Sequence, residues 1–388
     1  MRTGRSCDAS GIGSDGATVA LAHDYLTQRG GAERVVLSLT RAFPAAPVHT
    51  SLYEPAGTFP EFSSVDVRPL PINRRALLRR HHRLALPFLA DAIDGTRVDA
   101  DVLVASSSGW AHGIATSGRK IVYCHAPARW LYQTERYAAG GARERTLRSR
   151  AVTAATFALG PRLRRWDQVA AASADRYLVN STVVQKAVAE VYGIEAEVLA
   201  PPPAAVGRAG EEREVPGIPG AFLLCVARLL PYKNVDLVIQ AVARVPGLHV
   251  VVVGSGPEQR RLEELARRTA AATVIGRVPD DQLRWLYQNC VGLVAASFED
   301  FGLSPVEAAS FGKPTAALRD GGYLDTVSEG TTGVFFDQPD VGEIAEAVDA
   351  LARASWSEES ISTHAERFSE GRFIDRMHAI VAEELHQS

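Results

Sequence analysis

Nothing in this chain supplies a covalent framework. Its four cysteines, Cys7, Cys124, Cys225 and Cys290, are scattered and form no C-x-x-C pair, which excludes a zinc ribbon or a disulfide scaffold and fits reduced thiols. No run approaches the ~18 apolar residues of a membrane span. The net charge is only −3, so bulk nucleic-acid binding has no electrostatic support. A dinucleotide fingerprint is also missing. Gly11-Ile-Gly13-Ser-Asp-Gly16 matches G-x-G-x-x-G, but that motif needs a strand before it, and here the first strand, residues 19–23, comes after it. No tyrosine has lysine four residues on, which argues against a nicotinamide-dependent sugar epimerase or reductase. Residues 1–16 are small and polar, lack the apolar core of a signal peptide and read as a disordered leader. These absences favour a cytoplasmic setting, with peripheral contact at the inner membrane face left open.

What remains is ordinary globular composition, 46% hydrophobic and 22% charged over 388 residues, enough for two or three cores. Short aliphatic runs alternate with helical patterns throughout, which predicts an α/β chain of parallel sheets. Pro201-Pro202-Pro203 and the charged run Glu211-Glu212-Arg213-Glu214 mark residues 201–220 as a linker between halves 17–200 and 221–369.

The most informative stretch is Ser297-Phe-Glu-Asp-Phe-Gly-Leu-Ser-Pro-Val-Glu-Ala-Ala-Ser-Phe-Gly312. It follows an apolar run, 291–296, dense enough to be a buried parallel strand. Ser304, Pro305 and Glu307 then read as the N-cap, first and third positions of a helix. Strand, loop and helix in that order leave the N–H groups of Phe301, Gly302 and Leu303 at the carboxyl end of a sheet, where α/β folds hold anions. Gly302 removes a side chain where a phosphate would approach. A carboxylate repels phosphate, so Glu299 and Glu307 make most sense facing sugar hydroxyls. The plainer readings are a solvated loop acid for Glu299 and a capping box to Ser304 for Glu307.

Other candidates stand at strand ends. Gly30 and Gly31 open a helix after the first strand, and Gly254-Ser-Gly256-Pro257 is a strand-to-helix turn that keeps side chains out of a cleft. Lys233 near a helix N-terminus opposes the helix dipole, a cost that an anion held between Arg228 and Lys233 would offset. His125 ends the strand at 120–123. Asp99 and Asp101 resemble a D-x-D metal motif but precede their strand, so no metal is expected there. Residues 67–90 hold six arginines and no acid, and 143–165 is a second basic region. Both read as solvated faces, with anionic lipid or a pyrophosphate-linked acceptor as the alternative.

Glu299 and Glu307, with seven residues between them and followed by Ala308-Ala309 and Gly312-Lys313-Pro314, resemble the E-x7-E signature of the retaining glycosyltransferases of family 4 (group 1). The resemblance implies a GT-B architecture: two Rossmann-like domains facing across a cleft, with a last helix, about 370–388, packed back on the first. It implies that Glu307 holds the nucleotide ribose and Glu299 lies against the donor sugar, with Arg228 and Lys233 on the diphosphate. The base would sit by Arg277 and Val278, and Gly30-Gly31 would line the cleft. His125-Ala-Pro-Ala-Arg129-Trp is similar to a segment of mannosyl- and rhamnosyltransferases, placing His125 on the donor sugar and Arg129 on the acceptor side. The activity so implied is retaining, metal-independent and cofactor-free transfer of a hexose, with GDP-mannose favoured as donor and UDP-sugars or dTDP-rhamnose open. The acceptor, whether glycan, lipid-linked sugar or small molecule, is left open, and a non-catalytic nucleotide-binding module is the rival reading.

Overall fold

The computed structural model describes residues 16–81, 84–132, 147–203, 210–218 and 220–387. Residues 1–15 of the leader, Cys7 among them, and Arg83 lie outside the described residues, as do 143–146 of the second basic stretch and 204–209 and 219 of the linker.

Two parallel sheets make the frame. The first runs, edge to edge, Val67–Pro69, Val48–Thr50, Val19–His23, Val102–Ser107, Arg119–Cys124, Arg176–Val179, Glu197–Val198. The second runs Ala272–Gly276, Val250–Val253, Leu223–Val226, Gly292–Ala295, Thr315–Leu318, Gly333–Phe336. Helices cover both faces, so central strands such as Val250–Val253 are buried along their whole length and read as unbroken aliphatic runs. Each sheet reverses strand order once: between Val19–His23 and Val102–Ser107 in the first, and between Leu223–Val226 and Gly292–Ala295 in the second. Loops leaving the carboxyl ends on either side of such a reversal diverge and open a crevice. Both crevices hold the candidate residues described below.

Within these two sheets three strands escape a reading of the sequence: Val48–Thr50, Val67–Pro69 and Gly333–Phe336. Each has only three or four residues, too few for a period to show. The carboxyl-terminal segment from residue 358 to 385 is not one continuous helix. Glu358–Ala365 gives way to a 3-10 turn at Glu366–Phe368, and Ser369, extended at φ −62° and ψ 148°, caps a new helix, Glu370–Leu385. The break has a packing cause. Phe368 sits edge-on against Phe301 of the second domain at 5.9 Å, whereas Phe373, Met377, Ile380 and Val381 pack with Leu21, Val104, Ile121 and Tyr123 of the first. The chain therefore changes domains at Ser369. Rim ion pairs fix the returning helix, among them Arg376–Glu197 at 2.7 Å, Arg119–Glu384 at 2.7 Å and Arg41–Glu370 at 2.6 Å. Phe373→Ala, at a 2% exposed position, is expected to cost the first domain about 3–5 kcal/mol, measured as a lowered first transition in urea.

Candidate active site

The loop that leaves Gly292–Ala295 carries Glu299 and Phe301 into the helix Leu303–Ser310. Its cap differs from the sequence expectation. Gly302, not Ser304, is the N-cap, at φ 88° and ψ 71°, so Leu303 is the first helical residue and Pro305 the third. Only glycine enters this left-handed region freely, and a Cβ there would stand 2.5 Å from the Tyr323 ring. Pro305 is tolerated because a first-turn N–H has no intrahelical acceptor anyway. The capping-box reading of Glu307 falls with it. Glu307 is buried and accepts a 2.7 Å hydrogen bond from Tyr287 Oη through Oε2, with Tyr287 stacked on Phe311 at 5.4 Å. Its Oε1 has no hydrogen-bond partner among the described residues.

Glu299 accepts from Ser297 Oγ at 3.0 Å and forms an ion pair with Lys233. Gly321 and Gly322 support this loop, although the sequence suggests only a helix entrance there. Gly322 N donates to the Glu299 carbonyl at 2.8 Å, and a Cβ on either glycine would collide with the 299–301 backbone.

Lys233 stands in a 3-10 turn, Pro231–Lys233, rather than at the start of the α-helix, which begins at Val235 after Asn234 turns through φ 55°. Asn234 Nδ2 donates to the Ala296 carbonyl at 2.8 Å and so ties the two crevice loops together. The ammonium lies 4.8 Å from the Tyr232 ring centroid. Burial pushes Lys233 down to about 7, with Arg228 and Arg129 pushing the same way and Cys225 opposing them. Arg228 is exposed beside it. Gly254, at φ 144°, passes so close to the Ala227 carbonyl that no side chain fits. Arg277, exposed, and Val278, half-buried, follow the edge strand Ala272–Gly276, two strands from the reversal.

Across the cleft, Gly30 is the N-cap of the helix Gly31–Ala42. A Cβ on Gly31 would lie 3.2 Å from the Leu303 methyl, so the domains meet there at backbone distance. His125 is 9% exposed, with Nε2 2.8 Å from Ser106 Oγ, and burial, then His23 and Arg129, push it down to about 3. Its imidazole is therefore neutral at any physiological pH. Arg129, 45% exposed, forms an ion pair with the nearly buried Asp300 of the other domain.

Two further contacts bridge the domains. Ser181 Oγ donates to the Asp300 carbonyl, and Asp325 accepts from Thr182 N and Thr182 Oγ1, each at 2.7 Å. The Asp325 clasp thus spans the cleft at its rim. Sequence reasoning cannot find it, because an acid and a threonine 143 positions apart carry no local pattern. Asp325→Ala is expected to loosen the closure, seen as a larger radius of gyration in solution scattering with the melting temperature held within about a degree or two.

A buried array that resembles a catalytic triad is structural. Ser107 Oγ is 2.8 Å from His112 Nδ1, and His112 Nε2 is 3.2 Å from Asp167 Oδ1, but the His112 and Asp167 side chains are only 2% and 1% exposed. No substrate reaches it. Asp167 instead gathers Tyr132 and Tyr192 hydroxyls at 2.9 and 2.8 Å, holding the turn that carries Arg129. Asp101 accepts from Thr18 N at 2.7 Å and Asp99 from Ser117 Oγ at 2.6 Å, structural bonds for both acids of the D-x-D look-alike. Of the basic stretches, Arg68, Arg79 and Arg162 pair with Asp66, Glu54 and Asp91.

Residues 29–201 match the family model described as Glycosyltransferase Family 4, and residues 210–368 match that described as Glycosyl transferases group 1. D-inositol 3-phosphate glycosyltransferase 2 of Catenulispora acidiphila is 33% identical over 232 residues, 52% of this chain and 54% of that one. The D-inositol 3-phosphate glycosyltransferase of Mycolicibacterium smegmatis is 29% identical over 235 residues, 53% and 52% of the two chains. The chain spans about half the length of the curated relatives it matches. Among solved structures, HepE of Anabaena in complex with UDP-glucose superposes with a TM-score of 0.66 at 16% identity, covering 94% of this chain and 100% of that one. Sucrose-phosphate synthase from Thermosynechococcus elongatus gives 0.68 at 18%, covering 96% and 100%. At such identities the likeness speaks for the fold, two Rossmann-like domains in the GT-B arrangement.

Proposed function

We propose, from the match of its two halves to the family 4 and group 1 glycosyltransferase models, that the chain is a GT-B glycosyltransferase that moves a hexose from a nucleoside diphosphate sugar to a hydroxyl acceptor. The observation that carries this reading is the Lys233–Glu299 pair, at the strand-order reversal of the second sheet and beside the open helix start at Leu303. A diphosphate fits between Arg228, Lys233 and the first-turn N–H groups, which meet the charge that develops on it as the sugar leaves. Lys233 then exchanges Glu299 for phosphate. Glu299, released beside it, accepts from sugar hydroxyls, and Glu307 Oε1 accepts from the ribose.

Retention follows from a front-face route: the bond from the anomeric carbon to the phosphate oxygen breaks, the acceptor oxygen bonds on the same face, and the leaving phosphate takes the acceptor proton. Supporting it, neither the sequence motifs nor the described crevice supplies a second base opposite the donor. No step calls for a divalent metal. The likeness of the 125–130 segment favours GDP-mannose as donor, whereas the UDP-glucose held by HepE, a protein of the same fold, favours a UDP-sugar. The names of the curated relatives suggest a phosphorylated polyol as acceptor. No helix among the described residues is long and apolar enough to cross a membrane. Exposed Leu77 and Phe88, beside the exposed Arg74, Arg75 and Arg80, support peripheral contact with anionic lipid.

The test is calorimetry with GDP-mannose, UDP-glucose, UDP-N-acetylglucosamine, dTDP-rhamnose and NADH in EDTA, alongside slow release of free nucleotide. Binding and release with one sugar nucleotide supports the reading and names the donor. Binding of NADH alone, activity only with restored metal, or an inverted anomer in the product would each overturn its part.

A further inference from the structure

Behind His125 lies a line of polar groups that the transfer chemistry does not use: Ser106, His23 and Glu33, all buried. His23 Nδ1 is 3.0 Å from the Ser106 carbonyl and 3.1 Å from Ser106 Oγ. A carbonyl oxygen can only accept, so His23 Nδ1 carries a proton. Ser106 Oγ takes a share of that proton and must place its own. Fully buried, the hydroxyl has one remaining neighbour, His125 Nε2 at 2.8 Å. His125 Nε2 is therefore an acceptor, and the neutral ring bears its hydrogen on Nδ1.

The direction is enforced from the far end. Burial opposes charge on His23, but the nearby Glu33 carboxylate, with Asp24 and the Ser106 carbonyl, raises it. Protonated or neutral, His23 presents Nδ1–H to Ser106. His125 Nδ1 has no partner among the described residues and is not sealed from solvent. Arg129, four residues on, reaches the opposite domain, so this ring lies on the cleft wall.

We infer that His23 is a positioning residue, acting through Ser106 to hold His125 as the Nδ1–H tautomer, so that a neutral N–H donor faces the donor sugar's oxygens. The ligand half of this inference rests on the proposed function; the tautomer does not. A neutral donor suits this place, since an imidazolium would compete with Lys233 and Arg228 for the diphosphate.

Nitrogen-15 NMR of histidine-labelled protein without ligand tests the tautomer. The wild type is expected to show His125 protonated at Nδ1, and Ser106→Ala or His23→Leu to shift it toward Nε2–H. His23→Asn, whose amide nitrogen falls where Nδ1 stood, is expected to restore the wild-type signal. In turnover, Ser106→Ala is expected to lower kcat about tenfold with nucleotide affinity unchanged. His125→Asn, which mimics an Nδ1 donor, should retain more activity than His125→Gln, which mimics Nε2. An Nε2–H signal in the wild type, or Gln outperforming Asn, overturns the inference. If no sugar nucleotide is turned over, the functional reading fails and the NMR result still decides the tautomer.

Discussion

Lys233→Ala is expected to lower kcat about 100- to 1,000-fold, the effect of deleting one preorganised charge at a developing anion. The reason is burial: an 8% exposed ammonium is poorly screened, so its field on a bound diphosphate is far stronger than that of the exposed Arg228. Arg228→Ala should accordingly cost less. The same burial makes the interaction pH-dependent. With Lys233 at about 7 in the ligand-free protein, its charge is present below pH 7 and lost above it, and a bound diphosphate pulls the value back up. Nucleoside diphosphate affinity is expected to fall as pH rises through 7, and binding at pH 8 to take up a proton, measurable by calorimetry in buffers of different ionisation enthalpy. Lys233→Arg should abolish both effects. For stability the sign is opposite. A lysine lowered in the folded state below its unfolded value of 10.5 destabilises the fold where it is charged, so its contribution improves as pH rises from 7 toward 10.5. A flat affinity profile between pH 6 and 9 would mean that Glu299 dominates the titration.

Legibility in the sequence follows how local each feature is. The 297–312 stretch can be read because strand, glycine turn, acids and helix follow one another within sixteen positions, and the crevice forms wherever such a unit flanks a strand-order reversal. The cap position departs from expectation for a tertiary reason. Ser304-Pro305-Val306-Glu307 is a fair N-terminus by propensity, yet the Tyr323 ring packed on Gly302 moves the start two residues earlier. Lys233 misses its expected helix start for the same lack of context, since the left-handed Asn234, held by the Ala296 carbonyl, interrupts the coil after a 3-10 turn. His125 stands out by its segment, but its orientation depends on His23 and Ser106, 102 and 19 positions away. The Asp325 clasp and the domain change at Ser369 are likewise products of contact between halves, invisible to any window of sequence.

Glu307→Gln is expected to weaken nucleotide binding about tenfold, and Glu307→Ala about 100-fold, by calorimetry on the folded variants. The carboxylate arrives at its task already half-engaged, because Tyr287 occupies Oε2 and so aims Oε1. Alanine removes both functions, and it also strands a buried tyrosine hydroxyl at a cost of about 1–3 kcal/mol, which a melt would show. Glutamine preserves the acceptor for Tyr287 when its amide is turned so that oxygen faces the phenol. Its nitrogen then faces the ribose, a donor where an acceptor is wanted. Tyr287→Phe separates the two roles: Glu307 keeps its charge but loses its tether, and an intermediate loss of about three- to tenfold is expected with little change in kcat. If Tyr287→Phe matched Glu307→Ala, the phenol itself would be the ligand group. If Glu307→Ala bound nucleotide as the wild type does, the acid would be a core partner of Tyr287 and the ribose would have to be held elsewhere.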